Sequence, residues 1–124
     1  MVRPATLQRK KMTVTAVLSI LSAFPRMDAD TFCERWFGFD QLEPEEKERI
    51  KQERGYRAKC ARVLSTVLKK PYGTVDSWGS RFDGMPEDCK ATLVYADALR
   101  VQLKAAPEEF LDLFLEQQSR QKNQ

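Results

Sequence analysis

Apolar residues recur every three or four positions along most of the chain, the spacing that places them on one face of an α-helix. The first such stretch contains Val14, Val17, Leu18, Leu21 and Phe24. Pro25 follows at once and ends it, because proline cannot continue a helical hydrogen-bond ladder. No segment shows the sustained two-residue alternation of a half-buried strand. The pattern predicts an all-α protein, a compact bundle of five to six helices.

Residues that cap or break helices divide the rest of the chain. Asp28 or Asp30 can cap a short helix that Gly38 closes, and Pro44 opens a helix expected to reach about Arg54. Gly55 interrupts the periodicity. The next inward stripe consists of Tyr56, Cys60, Val63, Leu64, Val67 and Leu68.

Two further prolines open the last helices. Pro86 precedes a helix whose inward positions are Leu93, Ala96, Leu99 and Leu103. Pro107 precedes a terminal helix that is unusually rich in apolar residues. Both starts carry acidic residues in the first turn, where the helix dipole favours negative charge.

The segment from Leu64 to Trp78 is typical of two helices joined by a tight turn. Leu64 and Leu68 lie one turn apart, and residues 69–73 break the periodicity. Thr74 can cap a second helix that would place Val75 and Trp78 on one face. We therefore predict a helix-turn-helix between about residues 61 and 82.

These residues resemble a known DNA-binding motif. The spacing of Leu64, Ser65, Leu68, Thr74, Val75 and Trp78 is similar to that of the lambda-repressor-like (XRE) class, over about residues 56–103. That family usually has glycine and then an apolar residue in the turn, where this chain has Lys69 and Lys70, followed by Pro71 and Tyr72. The resemblance implies a second helix that reads DNA bases.

The charge distribution supports a polyanionic partner. Residues 47–70 hold nine basic side chains and two acidic ones, whereas residues 83–116 hold eight acidic and three basic ones. Arg3, Arg9, Lys10 and Lys11 form a second basic cluster near the N-terminus. A positive segment leading into the predicted turn could hold phosphates and orient a recognition helix, although a charged helix face is often only a solvated surface.

The predicted interface with double-stranded DNA has two parts. The candidate phosphate-binding side chains are Lys59, Arg62, Lys69 and Lys70. The candidate recognition surface consists of Tyr72, Thr74, Asp76, Ser77 and Arg81. Among these, Arg81 has the chemistry to contact guanine or phosphate, whereas the carboxylate of Asp76 would repel phosphate unless it accepted from a cytosine amine. The function expected from this surface is that of a small transcriptional regulator.

The terminal helix predicts self-association. Five of the six residues from Phe110 to Leu115 are apolar, more than one face of a surface helix can bury. The expected homodimer interface consists of Phe110, Leu111, Phe114 and Leu115. The N-terminal helix offers a similar stripe, and burial within one chain would account for either helix equally well.

Length and composition bound the remaining possibilities. With 124 residues and 42% hydrophobic content, the chain suits one domain. We expect a basic arm at 1–12, a helical domain at 13–116 and a polar tail at 117–124. The longest apolar run is too short for a bilayer and no signal cleavage site is evident, which favours a cytoplasmic protein.

Catalytic and metal chemistry find little support in the sequence. The chain lacks histidine, the commonest general base and zinc ligand. Cys33, Cys60 and Cys89 are odd in number and widely spaced, and Cys60 and Cys89 fall among helical core positions. We expect no enzyme activity, cofactor, metal site or small-molecule ligand. The alternative function is a protein-binding adaptor or accessory subunit that docks its basic face on an acidic partner and its C-terminal aromatic helix in a groove.

Overall fold

Seven α-helices account for most of residues 13–122, the part of the chain that the computed structural model describes, with side chains through Ser119. Their bounds are α1 Val14–Ala23, α2 Ala29–Trp36, α3 Pro44–Lys51, α4 Tyr56–Leu68, α5 Tyr72–Asp76, α6 Glu87–Ala105 and α7 Glu108–Lys122. These residues contain no strand, so the all-α prediction is confirmed. The helices outnumber the five or six expected.

Local capping explains most of the helix boundaries. The Asp28 carboxylate accepts a hydrogen bond of 2.8 Å from the amide of Thr31, which identifies Asp28 as the cap of α2. The helix starting at Pro44 ends at Lys51 and does not reach Arg54. It ends early because the backbone forms successive turns after it and reaches a left-handed conformation at Gly55, with φ of 86°.

The core lies where α2, α4, α5 and α6 meet. Each contributes at least one side chain that is fully buried, the largest of which are Phe32, Leu64, Val75 and Leu93. Together these side chains hold the helix pair α4–α5 against α2 and α6. Burial of apolar area of this kind is the main favourable contribution to folding.

Buried ion pairs fix α2 against its neighbours. The carboxylate of Asp97 on α6 is buried and accepts from Arg35 of α2 at 2.7 Å and from Arg100 at 2.9 Å. Lys51 at the end of α3 has a side chain only 7% exposed and binds the carboxylates of Asp30 and Glu34 on α2. Removal of the Asp97 carboxylate would leave the largely buried guanidinium of Arg100 without an acidic partner among the described residues, which is costly.

The two terminal helices and the end of α6 lie outside this core. α1 contains no buried residue. Leu99 of α6 is 57% exposed, so the prediction that it faces inward is wrong; α6 continues past the layer that α2 and α4 cover. α7 runs to Lys122, so residues 117–122 of the expected polar tail are helical.

Two further expectations concern the ends of the chain and the bilayer. The basic arm expected at residues 1–12, with Arg3, Arg9, Lys10 and Lys11, lies outside the described residues. Between residues 13 and 122, no helix combines the length and the apolar character needed to cross a membrane.

Candidate nucleic-acid interface

A short turn joins α4 to α5 and is fixed by reciprocal hydrogen bonds. The Ser65 hydroxyl donates to the Lys70 carbonyl at 2.6 Å, and the Lys70 amide donates to the Ser65 carbonyl at 3.1 Å. Lys69 has a left-handed backbone with φ of 56°, the conformation that glycine adopts most easily. A lysine at this position therefore carries strain of about 1 kcal/mol, and its side chain is exposed.

The second helix of the motif differs from the prediction in its start and its length. It begins at Tyr72, and the Pro71 carbonyl accepts from the amides of Thr74 and Val75. The expectation that Thr74 caps it is therefore wrong, because the fixed backbone of Pro71 starts the helix three residues earlier. α5 ends at Asp76, and Trp78 lies beyond it. Trp78 is half-buried and packs against the core, as expected.

α4 has two chemically distinct faces. Its buried side consists of Tyr56, Cys60, Ala61 and Leu64. The opposite side is exposed and carries Lys59, Arg62 and Thr66 at intervals of three and four residues, which align them along the helix, and the exposed Lys69 follows three residues later as the C-cap. We call these four residues the α4 basic face. Three of the four candidate phosphate contacts thus lie on one exposed surface, and Lys70 follows next to it in the turn.

This face differs from the other basic regions because acidic residues do not neutralise it. Lys47, Lys51 and Arg57 belong to the same positive segment of the sequence, but each binds a carboxylate from another part of the chain. Among residues 13–119, the basic side chains with no ion pair are Arg49, Arg54, Lys59, Arg62, Lys69, Lys70 and Lys104. Six of these seven lie between residues 49 and 70, so the surface charge is concentrated around α4.

Some side chains of the predicted recognition surface are exposed, whereas others bind groups within the protein. Tyr72, Thr74 and Ser77 are exposed on or beside α5. The Ser77 hydroxyl donates to the Thr74 carbonyl at 2.6 Å. The carboxylate of Asp76 binds Arg57, which reduces the repulsion of phosphate expected from it.

Arg81 is bound within the protein and lies apart from the α4 basic face. Its guanidinium binds Glu48 of α3 at 2.7 Å and approaches Asp30 of α2 at 3.6 Å. The Arg81 guanidinium holds the pKa of Glu48 below its usual value. Arg81 also borders a cavity next to Cys60, on the buried side of α4. Its expected contact with guanine or phosphate is therefore in competition with two carboxylates.

Arg57 fixes the position of α5, a role that the sequence did not indicate. It binds the Asp76 carboxylate and donates to the carbonyls of Asp76 and Gly79 at 3.0 and 2.6 Å. Its guanidinium also lies 4.7 Å from the centre of the Phe82 ring. A single side chain of α4 thus satisfies the carbonyl groups at the end of α5. Sequence reasoning counted Arg57 only as one more positive charge.

An open groove extends from the N-terminal part of the α4 basic face. It has a volume of about 600 Å³ and is lined by Phe37, Phe39 and Tyr56 together with the basic side chains Arg54, Lys59 and Arg62. The ammonium of Lys59 lies 5.3 Å from the centre of the Phe37 ring. Aromatic and basic side chains occur together in this way where proteins contact nucleic acids.

Metal-ligand groups and likeness to known proteins were the two other possible sources of functional information. Among residues 13–122, no group of three or more acidic or cysteine side chains could hold a metal ion. Comparison with protein-family models, curated proteins and solved structures gives no match.

The role of Arg57 is open to a direct test. Arg57→Met keeps the apolar stem and removes three polar contacts, so the chain after α5 should open more easily. We expect the amides of Phe82 and Gly84, which donate to carbonyls within this turn, to exchange with solvent roughly five- to thirtyfold faster.

Arg54→Met provides the matched control, because Arg54 is exposed and has no ion pair among the described residues. It should leave both exchange rates unchanged. Equal rates in the wild type and in Arg57→Met would show that Arg57 does not fix this turn.

Proposed function

We propose that this chain is a cytoplasmic DNA-binding protein, a small transcriptional regulator that contacts double-stranded DNA through α4, the turn and α5. The observation that carries the proposal is the α4 basic face, where Lys59, Arg62 and Lys69 are exposed and aligned without acidic partners among residues 13–119. Such an array matches a phosphate backbone, because each neutralised phosphate releases condensed counterions. No catalytic group is needed for this function.

The geometry of α5 suggests how sequence would be read. Recognition helices contact base edges mainly with their N-terminal residues. The first residues of α5 follow directly after Lys69 and Lys70, so phosphate contacts by these lysines would bring Tyr72 and Thr74 to the DNA. Both side chains are exposed and can donate or accept hydrogen bonds. Because α5 is a single short helix, few base pairs per subunit would be read.

The first prediction concerns the dependence of affinity on salt. Lys69→Gln combined with Lys70→Gln removes two charges while keeping side chains of similar length. Position 69 keeps a residue other than glycine, so the strain of its left-handed backbone is unchanged. Binding to all duplex sequences should weaken alike, and the slope of log K against log salt should flatten by up to about two units. Fluorescence anisotropy with a labelled random duplex across a salt series measures both effects.

Lys104→Gln is the control for loss of charge, since Lys104 is also exposed and without an ion pair among the described residues but lies on α6. It should leave the slope close to that of the wild type. If the wild-type protein shows no affinity for duplex DNA at roughly 50 mM salt, where phosphate contacts are screened little, the DNA-binding proposal is wrong and the adaptor function takes its place.

A homodimer is the second part of the proposal, and the surface of α6 and α7 supports it. Phe110, Leu113, Phe114 and Leu115 are between 46% and 61% exposed, and Leu111 is half-buried. The rings of Phe110 and Phe114 contact each other at 5.0 Å. An apolar groove of about 490 Å³ lies beside them, lined by Leu99, Leu103 and Pro107. Contiguous exposed apolar surface of this kind usually marks an interaction site.

A second copy of the chain suits this surface because one copy provides both the projecting rings and the groove. In a two-fold dimer each α7 can occupy the groove of the other subunit. The acidic residues Glu108, Glu109 and Asp112 of one α7 would then approach Lys104 of the other, where no carboxylate of its own chain within the described residues binds it. The pairing would also present two copies of the α4 basic face to DNA.

Sedimentation velocity tests the dimer at tens of micromolar protein. Phe114→Glu places a charge in the apolar surface and should convert a dimer into a monomer. Gln117→Glu adds the same charge at a polar, exposed position of α7 and should leave the dimer intact. A monomeric wild type would exclude this part of the proposal, and a dimer that survives Phe114→Glu would point to the apolar side chains of α1.

A further inference from the structure

A small cavity beside the core contains two cysteines from different helices. Its volume is about 40 Å³, and it is bordered by Cys33 of α2 and by Cys60 and Tyr56 of α4. Both cysteines are free and only 1% exposed. A volume above about 10 to 15 Å³ admits one water-sized molecule, so this cavity can hold water or hydrogen peroxide.

The cavity also contains an unused hydrogen-bond donor. The hydroxyl of Tyr56 is buried and has no hydrogen-bond partner among the described residues. The residue as a whole is 9% exposed. Burial raises the pKa of Tyr56, so the hydroxyl stays protonated. A buried hydroxyl without a partner is costly, and a small polar molecule in the cavity would satisfy it.

The two thiols differ in how readily they ionise. The neighbouring Cys33 thiol lowers the pKa of Cys60 by hydrogen bonding to its thiolate. The same pairing, together with burial, raises the pKa of Cys33. Lys51, Arg57 and Arg81 also border the cavity, and so does the carboxylate of Asp30, whose charge disfavours ionisation of both thiols. The sulfur that carries negative charge more readily is therefore that of Cys60.

We propose that Cys33 and Cys60 form a peroxide-reactive dithiol site that closes to a disulfide between α2 and α4. The Cys60 thiolate attacks one oxygen of hydrogen peroxide, so that an S–O bond forms and the O–O bond breaks. The departing hydroxide takes up the proton that Cys60 lost on ionisation and leaves as water, with the Tyr56 hydroxyl available as hydrogen-bond donor. The product on Cys60 is a sulfenic acid.

The second step consumes the Cys33 thiol. Its sulfur attacks the sulfenic sulfur of Cys60, the S–S bond forms and the S–O bond breaks, and hydroxide leaves as water with the Cys33 proton. The two thiols are oxidised to one disulfide while hydrogen peroxide is reduced to water. This site does not depend on the proposed DNA contacts, since Cys60 lies on the buried side of α4.

Cys89 supplies an internal comparison. Cys89 is also buried, and burial raises its pKa. It does not line the cavity in which Cys33 and Cys60 lie. Burial and the nearby Asp88 carboxylate both disfavour its thiolate, which makes this thiol less reactive. The proposal therefore predicts a specific pair of reacting cysteines among three buried ones.

Mass spectrometry of the full chain tests the proposal. Reduced protein is treated with hydrogen peroxide, denatured and alkylated. The expected product has lost two hydrogen atoms, carries alkyl groups on Cys89 alone and contains a peptide linked through Cys33 and Cys60. Its formation should outpace oxidation of Cys89 by at least about tenfold, because Cys89 has no thiol beside it in this cavity to donate a hydrogen bond to its thiolate.

Three variants separate the steps. Cys89→Ser should behave as the wild type, Cys33→Ser should accumulate a sulfenic acid on Cys60 that dimedone traps, and Cys60→Ser should leave Cys33 reduced. If peroxide leaves all three wild-type thiols alkylatable, or oxidises Cys89 as fast as Cys60, the proposal is wrong. The comparison of Cys60 with Cys89 in the wild type holds even if a variant fails to fold.

Discussion

Burial of one side of α4 is the constraint on which the rest of the structure depends. Ala61 and Leu64 are completely buried, and they pack where α5 and α6 meet α2. Rotation of α4 would expose these side chains and remove the main apolar contacts of the core. The opposite side is therefore held towards solvent. Arg62 and Lys69 are exposed because they lie on the side away from the buried residues.

Ion pairs between distant segments decide where positive charge remains on the surface. Asp30 and Glu34 bind Lys51, and Asp76 binds Arg57, so two cations of the basic segment are used in holding helices together. The cations left without such partners surround the exposed side of α4. The concentration of unpaired positive charge around α4 is thus a consequence of how the acidic residues of α2 and the end of α5 are placed.

Local patterns were sufficient to predict the all-α class, the inward stripe of α4 and the break at Gly55, because helical periodicity and capping depend on neighbouring residues. The partners of Arg81 could not be predicted, since Glu48 and Asp30 are far from it in sequence. The exposure of Leu99 was missed because periodicity indicates a face and not whether another helix covers it. The pairing of Cys33 with Cys60 likewise requires the packing of α2 beside α4.

The most direct test of the DNA-binding account is a titration of isotope-labelled protein with a duplex, followed by amide chemical shifts. The account predicts that the largest shifts fall on Arg62, Thr66 and Lys69 and continue into the turn and the first residues of α5. Addition of salt should reverse these shifts, because they arise from phosphate contacts. Shifts confined to α1 or α7, or no shifts at all, would contradict the claim that the α4 basic face binds DNA.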